Sequence, residues 1–268
     1  MRIGVLPAPL GCSFSQLEKS WRAAEEVGFG ALWAFDHATP TPDRSPAWEA
    51  SSVLVAMAAY TRTISIGILV FDVLLRHPFI LGGSVAVAQE VSGGRIRVGL
   101  GVGDRFSRLD HLTLGIPFPP FAERVRVLEA CCRALPALWR GETVTDRALG
   151  LKDAALGPVR IEPPPLIVGG GNPAVLEVAI RYAQGWNLFT HEPDVFGSRV
   201  EMLASMEASA GRSQPLAKSV YFIVERLPEG IHLRGLLEKF EAVGAEEAVL
   251  VLLEPGDEAV RRLAMRAL

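Results

Sequence analysis

His37 follows a short apolar run at 31–35 and is preceded by Asp36. An imidazole titrates near neutral pH, so it can act as a general acid or base or as a hydrogen-bond donor. A single histidine is as readily structural, and the local residues leave both readings open. Asp72, Arg76 and His77 follow a second apolar run at 64–70, and Gly103, Asp104 and Ser107 follow a third at 96–101. Asp72 reads equally as a site acid or a solvated loop acid. His77, before Pro78, reads as a helix start.

The most specific local pattern is Gly169-Gly170-Gly171-Asn172-Pro173-Ala174-Val175. Glycines let a backbone approach a phosphate closely. Asn172 can cap a helix, and Pro173 suits its first position because no N–H is needed there. The N–H groups of Ala174 and Val175 would then face an anion, helped by the helix dipole. No Arg or Lys lies within this turn, so backbone groups are expected to do most of the binding. Gly169, Gly171 and Ala174 also match G-x-G-x-x-A, a dinucleotide fingerprint, but four strand–helix units precede them. A tight turn without a ligand remains the alternative. Gly99, Gly101 and Gly103 form a second cluster, read either as close strand packing or as backbone approach to a cofactor.

Other chemistries find little support. His111, His191 and His232 share no metal-ligand spacing, and H-E-x-x-H and C-x-x-C are absent, so no metal site is expected. No G-x-S-x-G elbow occurs. None of the four Lys falls at the end of an expected strand, which counts against a Schiff-base lyase. The formal charge of −3 comes without a basic stripe, so no nucleic-acid partner is expected. No apolar run approaches the ~18 residues of a membrane helix. The N-terminal apolar stretch is short and holds Pro7 and Pro9, so it is not read as a lipoprotein signal ahead of Cys12. Three Cys (12, 131, 132) make no disulfide framework, which fits a reducing cytoplasm.

The elements that must position these residues alternate. Strands are expected at 2–6, 31–35, 64–70, 96–101, 166–169, 185–189, 219–224 and 248–253. Helices are expected at 14–28, 46–60, 78–92, 118–140, 173–183, 193–210, 231–243 and 256–267. Across 268 residues this is about 33 per unit, close to one βα unit of roughly 30. Ser13 and Gln16 form a capping box, Ser45-Pro46 reads as N-cap then first helical residue, and Gly28 can end the first helix. The strands show continuous apolar runs, as a parallel sheet covered by helices requires. Strict alternation suits a closed (β/α)₈ TIM barrel in a single α/β domain, 1–268, with an excursion near 142–165 that is rich in Pro. Active sites of such barrels lie at the C-terminal ends of the strands.

The set of motifs resembles the luciferase-like monooxygenase family, whose members use FMN or the deazaflavin F420. The matching stretches are Leu32-Trp33-Ala34-Phe35-Asp36-His37, Ala58 to Gly67, Leu75-Arg76-His77-Pro78, Ser92 to Gly101, Leu138-Trp139-Arg140-Gly141 and Ala183-Gln184-Gly185-Trp186-Asn187. The resemblance implies a (β/α)₈ barrel with FMN or F420 at its mouth. It implies that Asp36 and His37 face the ring and that a non-proline cis peptide joins Leu69 and Val70. It implies that Gly103, Asp104 and Ser107 flank the cofactor side chain, and that Gly169, Gly170, Gly171, Ala174 and Val175 take its phosphate. His37 and Asp104 become the proton-transfer candidates, although some members carry Glu in place of Asp104. The short stretch 225–230 lacks the long mobile segment of many members and leaves the mouth open.

The expected function is therefore a flavin- or deazaflavin-dependent oxidoreductase acting on a small organic molecule. Family resemblance and the apolar composition point to a homodimer. The rivals are a non-catalytic flavin-binding protein on the same barrel and a phosphate-binding barrel isomerase or lyase.

Overall fold

The computed structural model describes residues 1–37, 47–157 and 159–268. Eight parallel strands close into a barrel: β1 (Arg2–Pro7), β2 (Ala31–Ala34), β3 (Ser65–Asp72), β4 (Ile96–Gly101), β7 (Leu166–Gly169), β8 (Gly185–Phe189), β9 (Ala217–Ile223) and β10 (Glu247–Leu252). β1 pairs with both β2 and β10, which closes the ring. The excursion contains an antiparallel hairpin, β5 (Val144–Asp146) and β6 (Leu151–Ala154), joined through a 3₁₀ turn. Its buried Leu149 and Leu151 belong to the core shared with α5 (Phe121–Trp139).

The remaining helices are α1 (Phe14–Glu26), α2 (Ala50–Tyr60), α3 (Pro78–Ser92), α4 (Ser107–Leu114), α6 (Pro173–Tyr182), α7 (Pro193–Ser209), α8 (Leu233–Ala242) and α9 (Asp257–Ala267). The Ser13 capping box forms: Gln16 N–H donates to Ser13 Oγ (3.3 Å) and Ser13 N–H to Gln16 Oε1 (2.8 Å). α2 starts later than the expected residue 46. Its N-cap is Glu49, whose carboxylate accepts the N–H groups of Ser51 and Ser52 at 3.0 and 2.8 Å. Ser45 and Pro46 lie outside the described residues. Cys131 and Cys132 are buried free thiols on α5.

Two apolar layers result. The larger lies between strands and helices, and a smaller one, including Leu6, Trp33, Leu69, Val249 and Val251, fills the barrel interior. Toward the N-terminal ends of the strands, Trp33 Nε1 donates to Glu247 (2.9 Å) and Arg97 pairs with the same carboxylate (2.6 Å) while stacking over the indole. Gly4 on β1 makes room for this cluster: a Cβ there would lie 3.1 Å from Trp33 Nε1 and 3.2 Å from Glu247 Oε1. A cavity of ≈300 Å³ remains beside this cluster, among Arg2, Arg97, Lys218, Ser219, Glu246 and Glu247, and another opens at the opposite end, where the chemistry-bearing residues are.

Candidate active site

A cavity of ≈320 Å³ opens among the C-terminal ends of β2, β3, β4, β7, β8 and β9. That volume falls within the ~300–1,000 Å³ usual for small-molecule sites. Phe35, Leu69, Val70, Leu188 and Phe189 supply apolar wall. Asp36, His37, Asp72, Asp104, Ser107, Asn187 and Tyr221 supply polar groups. Of the twelve residues singled out from sequence, His37, Asp104, Asp36, Leu69, Val70, Gly103, Ser107, Gly169, Gly170, Gly171 and Val175 line this cavity, and Ala174 does not.

The electrostatics follow from a set of acid–base pairs. His37 Nδ1 lies 2.8 Å from Asp110 Oδ2, on α4, and Asp110 is 1% exposed. A carboxylate at Nδ1 fixes the proton there and leaves Nε2 as the other ring nitrogen. Burial works against the imidazolium, but the hydrogen bond and charge of Asp110, with the charges of Asp104 and Asp36, outweigh it and raise the His37 pKa. The next α4 residue, His111, repeats the pairing: Nε2 is 3.0 Å from Asp72 Oδ2 and Nδ1 is 2.9 Å from the Pro117 carbonyl. Both nitrogens of this buried ring thus face oxygen, so each contact holds a proton.

Asp36 makes a bidentate pair with Arg76 (2.6 and 2.8 Å) and accepts the Asp72 N–H (3.0 Å). Arg76 reaches on to Glu49 at 2.9 Å. Burial opposes ionisation of Glu49, but the hydrogen bonds from Ser51 and Ser52 hold its carboxyl down at about 2. The cap of α2 and the end of β2 are therefore tied through one guanidinium. Asp104 lines the cavity and also closes a turn. Its Oδ1 accepts the N–H groups of Phe106 (2.7 Å) and Ser107 (2.9 Å).

The glycines divide by role. A Cβ on Gly99 or Gly101 would collide with β3, against the Ile68 carbonyl and the Val70 side chain respectively, so close strand packing explains both. A Cβ on Gly169 would lie 2.8 Å from Val70 Cγ1. The Leu69–Val70 peptide is cis, as the resemblance implied.

The Gly169–Val175 turn corrects one expectation and gains one group from outside it. The Ala174 N–H donates to Asn172 Oδ1 (3.0 Å) and the Val175 N–H to the Asn172 carbonyl (2.9 Å). Asn172 caps its own helix and takes both donors that were expected to face an anion. A cation from another helix also lies close by. Arg199, on α7, has Nε 3.3 Å from where a Gly171 Cβ would sit. Only folding brings a residue 28 positions along the chain to that turn. Asp110, Asn187, Tyr221 and Arg199 were not singled out, and α4 itself was not expected.

The matching of relatives follows the same outline. Residues 4–229 match the luciferase-like monooxygenase family. The chain belongs to this family. An F420-dependent glucose-6-phosphate dehydrogenase of Microbacterium testaceum is 31% identical over 167 residues, 61% of this chain and 49% of that protein. A 5,10-methylenetetrahydromethanopterin reductase of Archaeoglobus fulgidus is 25% identical over 226 residues, 83% of this chain and 63% of that protein. The chain thus spans about half the length of the first of these relatives and under two thirds of the second. A solved F420-dependent secondary alcohol dehydrogenase, in complex with an F420–acetone adduct, shares the fold with a TM-score of 0.81. The likeness covers 99% of this chain and 97% of that one, at 15% identity. The (β/α)₈ barrel is therefore the luciferase-like one.

Proposed function

We propose that the protein is an oxidoreductase that binds F420 or FMN at the mouth of the barrel and acts on a small organic substrate. The observation that carries this reading is the His37–Asp110 pair at the edge of a partly apolar cavity. Two further features fit a flat heterocycle with a polar edge. The walls of Phe35, Leu69, Val70 and Phe189 suit the ring faces, and the buried Oδ1 of Asn187 has no hydrogen-bond partner among the described residues. The dehydrogenase relative favours F420 over FMN.

When bound, the cofactor supplies the redox chemistry, hydride transfer for F420 or oxygen activation for reduced FMN. The protein holds and moves the proton. Asp110 keeps a proton on His37 Nδ1, so Nε2 is the atom that takes a proton from the substrate or returns it. Asp36, clamped by Arg76, orients the end of β2 next to His37. Asp104 and Ser107 shape the loop beside the ring, Asp104 stays a second proton-transfer group in the cavity lining, and Asp110 is the acid in contact with the histidine. Gly169, Gly170 and Gly171 give a phosphate room, and Arg199 supplies the positive charge.

The same reading takes residues 1–268 as one barrel domain in a cytoplasmic homodimer without nucleic-acid or membrane partners. An exposed apolar stripe on α3, Ile80, Val87 and Val91, supports the dimer. Among the described residues no helix is long and apolar enough to cross a membrane.

The deciding experiment is titration of purified protein with F420 and then FMN, followed by absorption and fluorescence. Saturable binding of one of them is the expected result. Binding of neither sinks the proposal, and binding without turnover on any alcohol, aldehyde or sugar phosphate reduces the protein to a carrier.

A further inference from the structure

Asn187 sits in the middle of β8, is 1% exposed, and lines the cavity. Its amide nitrogen donates to the carbonyl of Ser219 (3.2 Å) and to Ser219 Oγ (2.8 Å) on the paired strand β9. A carbonyl only accepts, so the nitrogen must face Ser219 and Oδ1 must face away. Ser219 Oγ spends its own proton on the Trp186 carbonyl at 3.2 Å. Among the described residues, Asn187 Oδ1 is left buried without a partner. Buried polar atoms are nearly always paired, and one left unpaired works against folding. The β8–β9 pair therefore holds an acceptor in place that nothing among the described residues satisfies.

We propose that Asn187 is a positioning residue for the cofactor ring, with Oδ1 accepting the ring's imide N–H. Oxidised F420 and oxidised FMN both carry that N–H, so this contact sets the orientation of the ring without selecting between the two. The Ser219 contacts preorganise the amide, so little freedom is lost on binding. The inference rests on the cofactor reading above and adds the residue that meets the polar edge.

The test measures affinity and needs no turnover. Whichever of F420 and FMN binds the unaltered protein is titrated against Asn187→Leu, a change of similar size that removes the acceptor. Binding is expected to weaken about tenfold or more, with far-ultraviolet circular dichroism unchanged. The second measurement uses the same cofactor methylated at its imide nitrogen. The unaltered protein should lose a comparable factor for the methylated form, and Asn187→Leu should lose far less, the coupling expected of direct partners. Equal affinity in folded Asn187→Leu overturns the proposal. If that variant does not fold, the unaltered protein decides alone, and equal binding of native and methylated cofactor overturns it. Failure of the unaltered protein to bind either cofactor is a separate outcome, because it removes the cofactor reading first and this proposal with it.

Discussion

His37 and Asp110 are 73 positions apart in the chain and 2.8 Å apart in the fold. The carboxylate sets both the tautomer and the charge of the ring. A histidine titration followed by NMR should place the His37 pKa above 6.5, and Asp110→Asn should move it down. A value at or below 6.5 in the unaltered protein would remove Asp110 as the controlling charge. The sign for stability follows. A raised folded pKa means the imidazolium contributes stability that is complete below the unfolded value of about 6.5 and is lost as pH rises through the folded value. Melting curves of the unaltered protein and His37→Gln should therefore differ most in mild acid and converge in alkali. In turnover the same substitution should cost ~10²–10⁴, the usual contribution of a general acid or base. Unchanged turnover on the true substrate would make His37 structural.

At the scale of elements, α4 is the part that completes the site, and its pattern is inverted. Asp110 and His111 are buried, whereas Leu109 and Leu112 are 47% and 77% exposed. The helix is held by its polar face, through His37 on one side and Asp72 on the other. Replacing His111 with Leu leaves Asp72 Oδ2 without its histidine partner, while Oδ1 keeps the Leu74 N–H, and should destabilise the protein by ~1–3 kcal/mol in urea unfolding. Leu112→Ser, one position further along, should change stability by less than ~0.5 kcal/mol. Equal effects would mean that the polar face does not hold the helix. Another connection depends on Glu25 of α1, which accepts the N–H groups of Arg62, Thr63 and Ile64 before β3. Burial opposes it, but these hydrogen bonds hold its carboxyl down at about 2. Glu25→Gln should thus destabilise the protein above pH ~4.5, and the difference should vanish as pH falls through 2. A difference that persists at pH 2 would show that Glu25 acts without its charge.

At the scale of the molecule, Trp33, Arg97 and Glu247 join into one cluster toward the N-terminal ends of the strands, and the opposite end holds the cavity lined by the candidate site residues. The cluster concerns stability. Ile80, Val87 and Val91, on the outer face of α3, are 58%, 52% and 50% exposed. If they join two copies, Ile80→Glu combined with Val87→Glu should yield a monomer by light scattering while a single chain keeps its circular dichroism. An unaltered protein already monomeric at micromolar concentration would refute the dimer.

The alternation of continuous apolar runs with helical patterns, the capping box at Ser13, the cap at Asn172 and the glycine turn after β7 were all legible from neighbours in the chain. Their physics is local: propensity, burial periodicity and backbone hydrogen bonding act over a few residues. So the barrel, its mouth and most of the cavity lining could be read before folding. The start of α2 at Glu49 was not, because its cap is a carboxylate shared with Arg76 from another loop. The inverted helix α4 was not, because hydrophobic periodicity marks an element by its apolar side and here that side faces solvent. The spent N–H groups of Ala174 and Val175, the approach of Arg199 to Gly171 and the unmet acceptor of Asn187 depend on which atoms meet across strands and helices. Only tertiary structure decided those contacts, because a hydrogen bond between residues far apart in the chain leaves no periodic trace in the sequence.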